Sequence, residues 1–209
     1  MKSFFKSFVK SAQEVKNVRC LCVTGLFIAV SMVLEFFSID LSFAKINFAF
    51  LAIAVIGMLY GPTVGFFAGL ACDVVGYIVH PTGAFLPVYT LVAGLQGLIY
   101  GCCLYVKNDS HSLIVKNNLS GGETDITLYF RAVIARLLDV LVINLLINTR
   151  LNMHYGFIPD EAYGTAIVSR LAKNVIELTA DIPLLFILLP AALMAYNRVF
   201  RQKSSPVHS

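Results

Sequence analysis

The sequence predicts an all-α membrane protein with six transmembrane helices. Hydrophobic residues make up 58% of the 209 residues and charged residues 13%, whereas soluble domains are about a quarter charged. The mean hydropathy is +0.79. A transmembrane helix needs about 20 largely apolar residues, so this length allows about six spans with short connections. The composition excludes a disordered chain, a basic nucleic-acid-binding domain and an ordinary cytosolic enzyme.

The first 19 residues are predicted to form a basic amphipathic helix on the cytoplasmic lipid surface. Phe4, Phe5, Phe8, Ala12 and Val15 fall near helical spacing on one side, which is typical of an interfacial helix. No small-x-small cleavage site follows the apolar stretch, so we reject a signal peptide. We expect a transmembrane domain at 20–198 and a cytoplasmic tail at 199–209.

Six apolar runs are predicted to span the membrane, at about 20–37, 46–60, 62–79, 85–106, 130–152 and 164–197. Gly61 followed by Pro62 predicts a tight turn between the second and third spans, since proline suits the first turn of a helix. The sixth run is too long for one straight crossing. We therefore expect its first turns to stand outside the hydrocarbon.

Basic residues predict the orientation of these spans. With the N-terminus inside, the inner segments hold most of them, whereas the outer loops hold mainly Lys45 and Arg150. The positive-inside rule then places both termini in the cytoplasm of a multi-pass cell-membrane protein. The inner basic residues are Lys2, Lys6, Lys10, Lys16, Arg19, Lys107, Lys116, Arg131, Arg198, Arg201 and Lys203.

The sequence contains no recognisable catalytic or metal-binding motif. The five cysteines have no metal-like spacing, and there is neither an H-E-x-x-H motif nor a phosphate-binding loop. We therefore expect no enzyme activity, no metal and no cofactor. Because the chain has no nucleotide site, active transport would need an ATPase supplied by another subunit.

Charged and amide side chains inside the spans are the main candidates for function, because such residues face the bundle interior or a cavity. Arg136 and Asp139, one turn apart, are interpreted first as a structural ion pair. Asp73 stands alone among apolar neighbours, which favours a binding role. Three further groups could serve as ligand contacts or as hydrogen bonds between helices: Asn144 with Asn148, the stripe Arg170, Asn174, Glu177 and Asp181, and a pairing of Lys173 with Glu177.

The run from Lys45 to Gly101 resembles the S components of energy-coupling factor (ECF) vitamin transporters. Pro81-Thr82-Gly83, Asn148-Thr149, Tyr155-Gly156 and the Arg170-x-x-Lys173-Asn174 pattern are similar to the folate-specific branch. The resemblance covers about 20–195. It implies a six-helix bundle that captures a vitamin near its outer face and works with a membrane T component and two cytoplasmic ABC-type ATPases.

The resemblance also implies residue roles. Small residues in the first span contact the T component, and Gly25-x-x-x-Ala29 is the best match, since small side chains allow close helix approach. Asp73 would accept paired N–H donors of a pterin ring, and basic residues (Lys45, Arg150, Arg170 or Lys173) would bind the glutamate tail. The expected ligand contacts are Lys45, Asn47, Phe48, Asp73, Thr82, Phe85, Tyr89, Asn148, Tyr155, Arg170 and Asn174.

Three alternatives remain open from the sequence. The chain could be the S component for another vitamin, a self-sufficient membrane carrier or channel, or an intramembrane enzyme, which no motif supports and which would turn its substrate over. A self-sufficient carrier would move its substrate in vesicles without partners, whereas an importer subunit would bind but not pump. The aromatic residues near the outer loops could form an interfacial belt or stack on a flat ligand.

Overall fold

The computed structural model describes residues 2–36, 39–41, 44–46, 48–81, 84–105, 114–116, 123–157 and 163–201. Its helices are α1 (Lys2–Glu14), α2 (Val18–Phe36), α3 (Phe50–Tyr60), α4 (Pro62–Val79), α5 (Pro87–Leu104), α6 (Ile126–Leu138), α7 (Asn148–His154) and α8 (Tyr163–Arg201). A π-helical segment, Asp139–Ile147, joins α6 to α7. Two antiparallel pairs of three-residue strands complete the described part: β1 (Ile39–Leu41) with β2 (Ala44–Ile46), and β3 (Ile114–Lys116) with β4 (Glu123–Asp125).

Helices follow the apolar runs closely. By length and composition, four described helices could each cross a membrane: α2, α4, α5 and the stretch Ile167–Phe200 of α8. The fifth predicted run is also helical, as α6, the π-helical segment and α7 together. Proline occupies the first turn of both α4 and α5, where its missing N–H costs no hydrogen bond. The tight turn predicted at Gly61 and Pro62 is confirmed.

The second predicted span begins later than the sequence indicated. Ile46 pairs with Ile39 between β1 and β2, and α3 begins only at Phe50. With 11 residues, α3 is about 16 Å long, shorter than the hydrocarbon core of about 30 Å, and ten of its residues are buried. It contacts α2, α4, α5 and α8 and is therefore the central helix of the core. Apolar periodicity alone does not distinguish a short strand from a buried helix.

Glycines bring α4 and α5 into backbone contact. A Cβ at Gly97 would lie 2.0 Å from the carbonyl oxygen of Gly65, and one at Gly69 would lie 2.2 Å from that of Ala93. Close approach of this kind is how helices associate where lipid removes the hydrophobic driving force. These contacts fix the antiparallel register, in which Gly65 lies opposite Gly97.

Helix α1 packs against the helical bundle. The sequence predicted a helix lying on the lipid surface and gave no sign of this contact. The buried hydroxyl of Ser11 accepts hydrogen bonds from the backbone N–H groups of Thr63 (3.0 Å) and Val64 (3.1 Å). The hydroxyl of Thr63 donates to the carbonyl of Phe8 at 3.1 Å. Since the first N–H groups of a helix lack partners within it, Ser11 acts as a cap for α4 from another helix.

Candidate ligand-binding cavity

A cavity of about 760 Å³ lies between the helices, within the range of about 300–1,000 Å³ typical of small-molecule sites. It reaches the end of the bundle where α4 stops at Val79 and α5 begins at Pro87, which we call the mouth. Its walls come from α2, α3, α4, α5, the π-helical segment with α7, and α8. The lining includes Ser31, Glu35, Phe50, Asp73, Tyr77, Phe85, Tyr89, Gln96, Arg136, Asn144, Asn148, Phe157, Lys173, Glu177 and Asp181.

A buried charge cluster forms the floor of the cavity. The guanidinium of Arg136 donates to Oδ2 of Asp139 at 2.5 Å and, through Nε at 3.0 Å and Nη2 at 2.5 Å, to Oδ2 of Asp181. Its Cζ lies 4.0 Å from the centre of the Phe50 ring, a cation–π arrangement. The predicted Arg136–Asp139 ion pair is confirmed, and Asp181 from α8 joins it. The cluster therefore connects α6 and the π-helical segment to α8.

Neutral donors from α5 complete this cluster on its other side. The hydroxyl of Tyr100 and the amide of Gln96 donate to Oδ2 of Asp139 at 3.1 and 3.0 Å. One positive charge thus faces two carboxylates. Among the described residues, the buried Oδ1 atoms of Asp139 and Asp181 have no hydrogen-bond partner. Buried polar atoms are nearly always paired in native proteins, so the floor has unused acceptor capacity.

The predicted polar stripe of α8 faces inward. Asn174, Glu177 and Asp181 are all buried, and Lys173 pairs with Glu177 at 3.3 Å, as the spacing predicted. Arg170 is half-buried and donates to the backbone carbonyl of Asn144 at 3.3 Å. Lys173, Glu177 and Asp181 therefore line one side of the cavity down to the floor, whereas Arg170 and Asn174 are not among its lining residues.

Asp73 lies closer to the mouth of the cavity than the charge cluster of the floor does. Its Oδ2 accepts a hydrogen bond from the hydroxyl of Thr90 at 2.7 Å, and the residue is half-buried in the cavity wall. A carboxylate has about four lone-pair sites. The bond from Thr90 orients the group and leaves it able to accept more N–H donors.

Aromatic side chains surround the mouth. The rings of Tyr77 and Phe85 are 5.0 Å apart, and those of Tyr89 and Tyr155 are 6.3 Å apart. The Tyr89 hydroxyl also donates to Oδ1 of Asn152 at 2.5 Å. These contacts join the beginning of α5 to α7 and give the mouth flat apolar surfaces.

The structure brings several of the predicted ligand contacts to this cavity. Asp73, Phe85, Tyr89 and Asn148 line it, and the Tyr155 ring lies beside that of Tyr89 at the mouth, tilted by 37°. Phe48 packs against the main core cluster, and Nδ2 of Asn174 is buried without a partner among the described residues. Asn47, Thr82 and the side chain of Lys45 lie outside the described residues. Contact between any of these residues and a ligand stays a prediction.

Some residues at the cavity had not been expected there. Gln96 and Ser31 contribute to the lining, and Tyr100 donates a hydrogen bond to Asp139 in the floor. Gln96 is the one amide within the apolar run 87–104 and could have been found by the same rule that singled out Asp73. The π-helical turn that carries Asn144 had no sequence signal, although such turns are frequent at functional sites.

The two small residues predicted to contact a partner lie away from the cavity. Gly25 and Ala29 are exposed on α2, and a Cβ at Gly25 would meet nothing within 4 Å. Exposed apolar side chains flank them on the same helix, including Leu21, Leu26, Val30 and Val33. This part of α2 is therefore available to lipid or to another membrane protein.

Together the apolar helices and the internal cavity define a class, a multi-pass membrane protein that binds a small molecule within its helical bundle. Among the described residues, no group of three or more His, Cys, Asp or Glu residues is placed to hold a metal ion. The chain belongs to the family described as ECF-type riboflavin transporter, S component, whose profile matches residues 15–189. It is a substrate-capturing transporter component rather than an enzyme, and the predicted S-component identity and fold class are confirmed.

The chain is also similar to individual folate transporters. It is 27% identical over 164 residues to the folate transporter FolT of Clostridium novyi (strain NT), covering 78% of this chain and 83% of that relative. It is 28% identical over 96 residues to FolT of Leuconostoc mesenteroides subsp. mesenteroides, covering 46% and 51%. A crystal structure of FolT bound with folic acid superposes with a TM-score of 0.63 at 27% identity, covering 80% of this chain and 92% of that one.

Proposed function

We propose that this S component captures folate in the cavity as the substrate-binding subunit of an ATP-driven importer. The observation that carries the proposal is the similarity to FolT bound with folic acid over 80% of the chain. The family description names riboflavin, so the choice between the two vitamins depends on the chemistry of the cavity.

The cavity favours a ligand with several N–H donors. Its unused polar atoms include carboxylate oxygens of Asp73 and Asp181, which accept but do not donate when ionised. A pterin carries an exocyclic amine and a ring N–H. The flavin ring has a single N–H between two carbonyl groups, and carbonyl groups facing these carboxylates would repel them. The pterin is therefore the better complement.

The proposed orientation places the pterin deepest and the glutamate tail toward the mouth. Asp73 accepts N–H donors of the ligand, while Lys173 lines the α8 side of the cavity and Arg170 lies about one turn before it on the same helix. Both are proposed to bind the tail carboxylates. Charge-assisted hydrogen bonds of this kind are the strong ones. The aromatic residues at the mouth, such as Phe85 and Tyr89, pack against the aromatic part of the ligand.

Two substitutions test this orientation. A hydrogen bond to a charged group contributes about 1.5–3 kcal/mol, so Asp73→Ala should weaken folate binding by roughly ten- to a hundredfold. Arg170→Ala should weaken folate but affect a pterin fragment without glutamate much less. Calorimetric titration of both variants with both ligands measures the difference.

The same titrations contain their own control. A fragment that ends at the benzoate still has the pterin donors and the linking amine, so Asp73→Ala should weaken its binding about as much as it weakens that of folate. If Arg170→Ala harms fragment and folate equally, the tail does not lie beside Arg170 and the orientation is wrong.

The proposal includes two kinds of partner and one substrate. A membrane T component binds the exposed face of α2 at Gly25 and Ala29, and two cytoplasmic ABC-type ATPases supply the energy. The chain itself binds folate without pumping it. This division of roles excludes the self-sufficient carrier, which would move folate in vesicles containing no other protein.

Both termini are proposed to lie in the cytoplasm, because the basic residues cluster on that side of the spans. Cysteine labelling or fusion reporters at Ser209 and in the 108–125 connection should report an inside position. The outer loop at 38–45 is the matched control and should label from outside. An outside signal at Ser209 would contradict the topology.

The most direct identification of the substrate is mass spectrometry of whatever the purified protein retains. Tight binders often carry their ligand through purification, and folate or a reduced folate is the expected finding. Retained riboflavin, with no folate, would leave the S-component class intact and overturn the choice of vitamin.

A further inference from the structure

The side-chain amide of Gln96 has only one acceptable orientation. Its Nε2 donates to Oδ2 of Asp139 at 3.0 Å, and the same oxygen accepts from Tyr100 and Arg136. If the amide were flipped, its carbonyl would face a carboxylate, and two acceptors cannot form a hydrogen bond. Asp139 therefore fixes the amide so that Oε1 points away from the cluster.

The carbonyl oxygen of Gln96 remains available at the cavity. Gln96 lines the cavity and is half-buried. Among the described residues no donor is hydrogen-bonded to its Oε1. A second acceptor lies at the same floor: Asp181 is 1% exposed and lines the cavity, and its Oδ1 has no partner within the described part of the chain.

We propose that Gln96 determines specificity by accepting an N–H group from the innermost edge of the ligand ring. The inference rests on the proposed function and identifies the residue that binds the innermost edge of the vitamin. Asp139, which Arg136 holds in place, fixes the orientation of the Gln96 side-chain amide. The floor therefore presents the carbonyl oxygen of Gln96, an acceptor, to the ligand. A ring whose innermost edge carries an exocyclic amine fits this floor, and a ring ending in a carbonyl does not.

This floor lies well below the level of Asp73. The hydrogen bond from Thr90 places Asp73 beside the first turns of α5, and Gln96 is six residues further along that helix. At 1.5 Å per residue the two acceptor levels are about 9 Å apart. Apart from the amide of its glutamate tail, folate has N–H donors at two separate places, the amine and ring N–H of the pyrimidine ring and the amine that links the pterin to the benzoate. Gln96 receives the first group, and Asp73 is left for the second.

The test compares folate with an analogue in which the exocyclic amine is replaced by a methyl group. Wild-type protein should prefer folate over this analogue by about tenfold or more, since a buried acceptor left without its donor costs about 1–3 kcal/mol. In Gln96→Met, which keeps the length of the side chain and removes the carbonyl, the preference should fall to near one. Gln96→Leu provides a second apolar variant should Gln96→Met fail to fold.

Tyr100→Phe is the matched control. It removes a different donor to the same Asp139 oxygen, and Tyr100 does not line the cavity. If the loss of a donor to Asp139 caused the effect, Tyr100→Phe would reduce the preference as well. We expect Tyr100→Phe to change both affinities by the same factor, so that the preference for folate is retained.

Two results would overturn the inference while leaving folate binding in place. The preference could survive in the Gln96 variants, or it could be lost in Asp73→Ala and kept in Gln96→Met, which would place the innermost edge on Asp73. Failure of the proposed function has a different signature, since wild-type protein would then bind neither folate nor its analogue.

Discussion

Arg136→Ala is expected to lower the free energy of unfolding by about 3–5 kcal/mol, the cost of breaking a buried ion pair. Asp139 and Asp181 are 0% and 1% exposed, and Arg136 is the cation that both contact in the described structure. Without it, two carboxylates would remain buried side by side. Because native domains are stable by only about 5–15 kcal/mol, little of the variant should stay folded in detergent at physiological temperature.

Thermal unfolding of the detergent-purified protein measures this effect. Arg131→Ala, in the same helix but only half-buried, is the matched control and should unfold close to wild type. Adding Asp139→Asn and Asp181→Asn to Arg136→Met should recover much of the stability, since it removes the uncompensated charges. An Arg136→Ala protein as stable as wild type would show that the cluster does not hold the helices together.

Gly25→Leu is expected to abolish folate uptake in cells or vesicles that contain the T component and ATPases. Bulk at this position would prevent close approach of another helix. Within the chain itself a Cβ at Gly25 meets nothing within 4 Å, so the variant should fold normally and bind folate as tightly as wild type. Ala29→Leu, one turn further along α2, should behave in the same way.

Uptake and binding must be measured on the same variants to separate the two roles. Ile187→Phe adds similar bulk at an exposed position of α8 and should leave uptake unchanged. If Gly25→Leu reduces binding by the isolated protein as much as it reduces uptake, this face belongs to the ligand site or the core rather than to a coupling surface.

The positions of most helices could be predicted from the sequence because apolar runs in this chain end at strong local signals. Pro62 and Pro87 begin α4 and α5, close to the predicted starts. The start of α3 was predicted too early because the apolar side chain of Ile46 suits a strand as well as a helix. Its pairing with Ile39 shows that it belongs to a strand. The capping of α4 by Ser11 joins residues 52 positions apart, a contact that no local pattern encodes.

The cavity was predictable in part. Charges within apolar spans correctly pointed to the Arg136–Asp139 pair and to the inward face of α8, because the energetic cost of a charge in lipid does not depend on fold detail. The sequence did not show that Asp181 shares Arg136, since this requires knowing how α8 packs on α6. Nor did it show that Asp139 orients the side-chain amide of Gln96, since this contact joins two different helical segments.

Calorimetric titration of the purified, ligand-free protein with folate and with riboflavin tests the central claim most directly. The predicted result is tight binding of one folate per protein and much weaker binding of riboflavin, because the floor presents acceptors to the pterin N–H groups and Asp73 presents one to the amine that links the pterin to the benzoate. Tight binding of riboflavin with no measurable binding of folate would contradict it. The S-component fold would then stand, and its assignment to folate would fall.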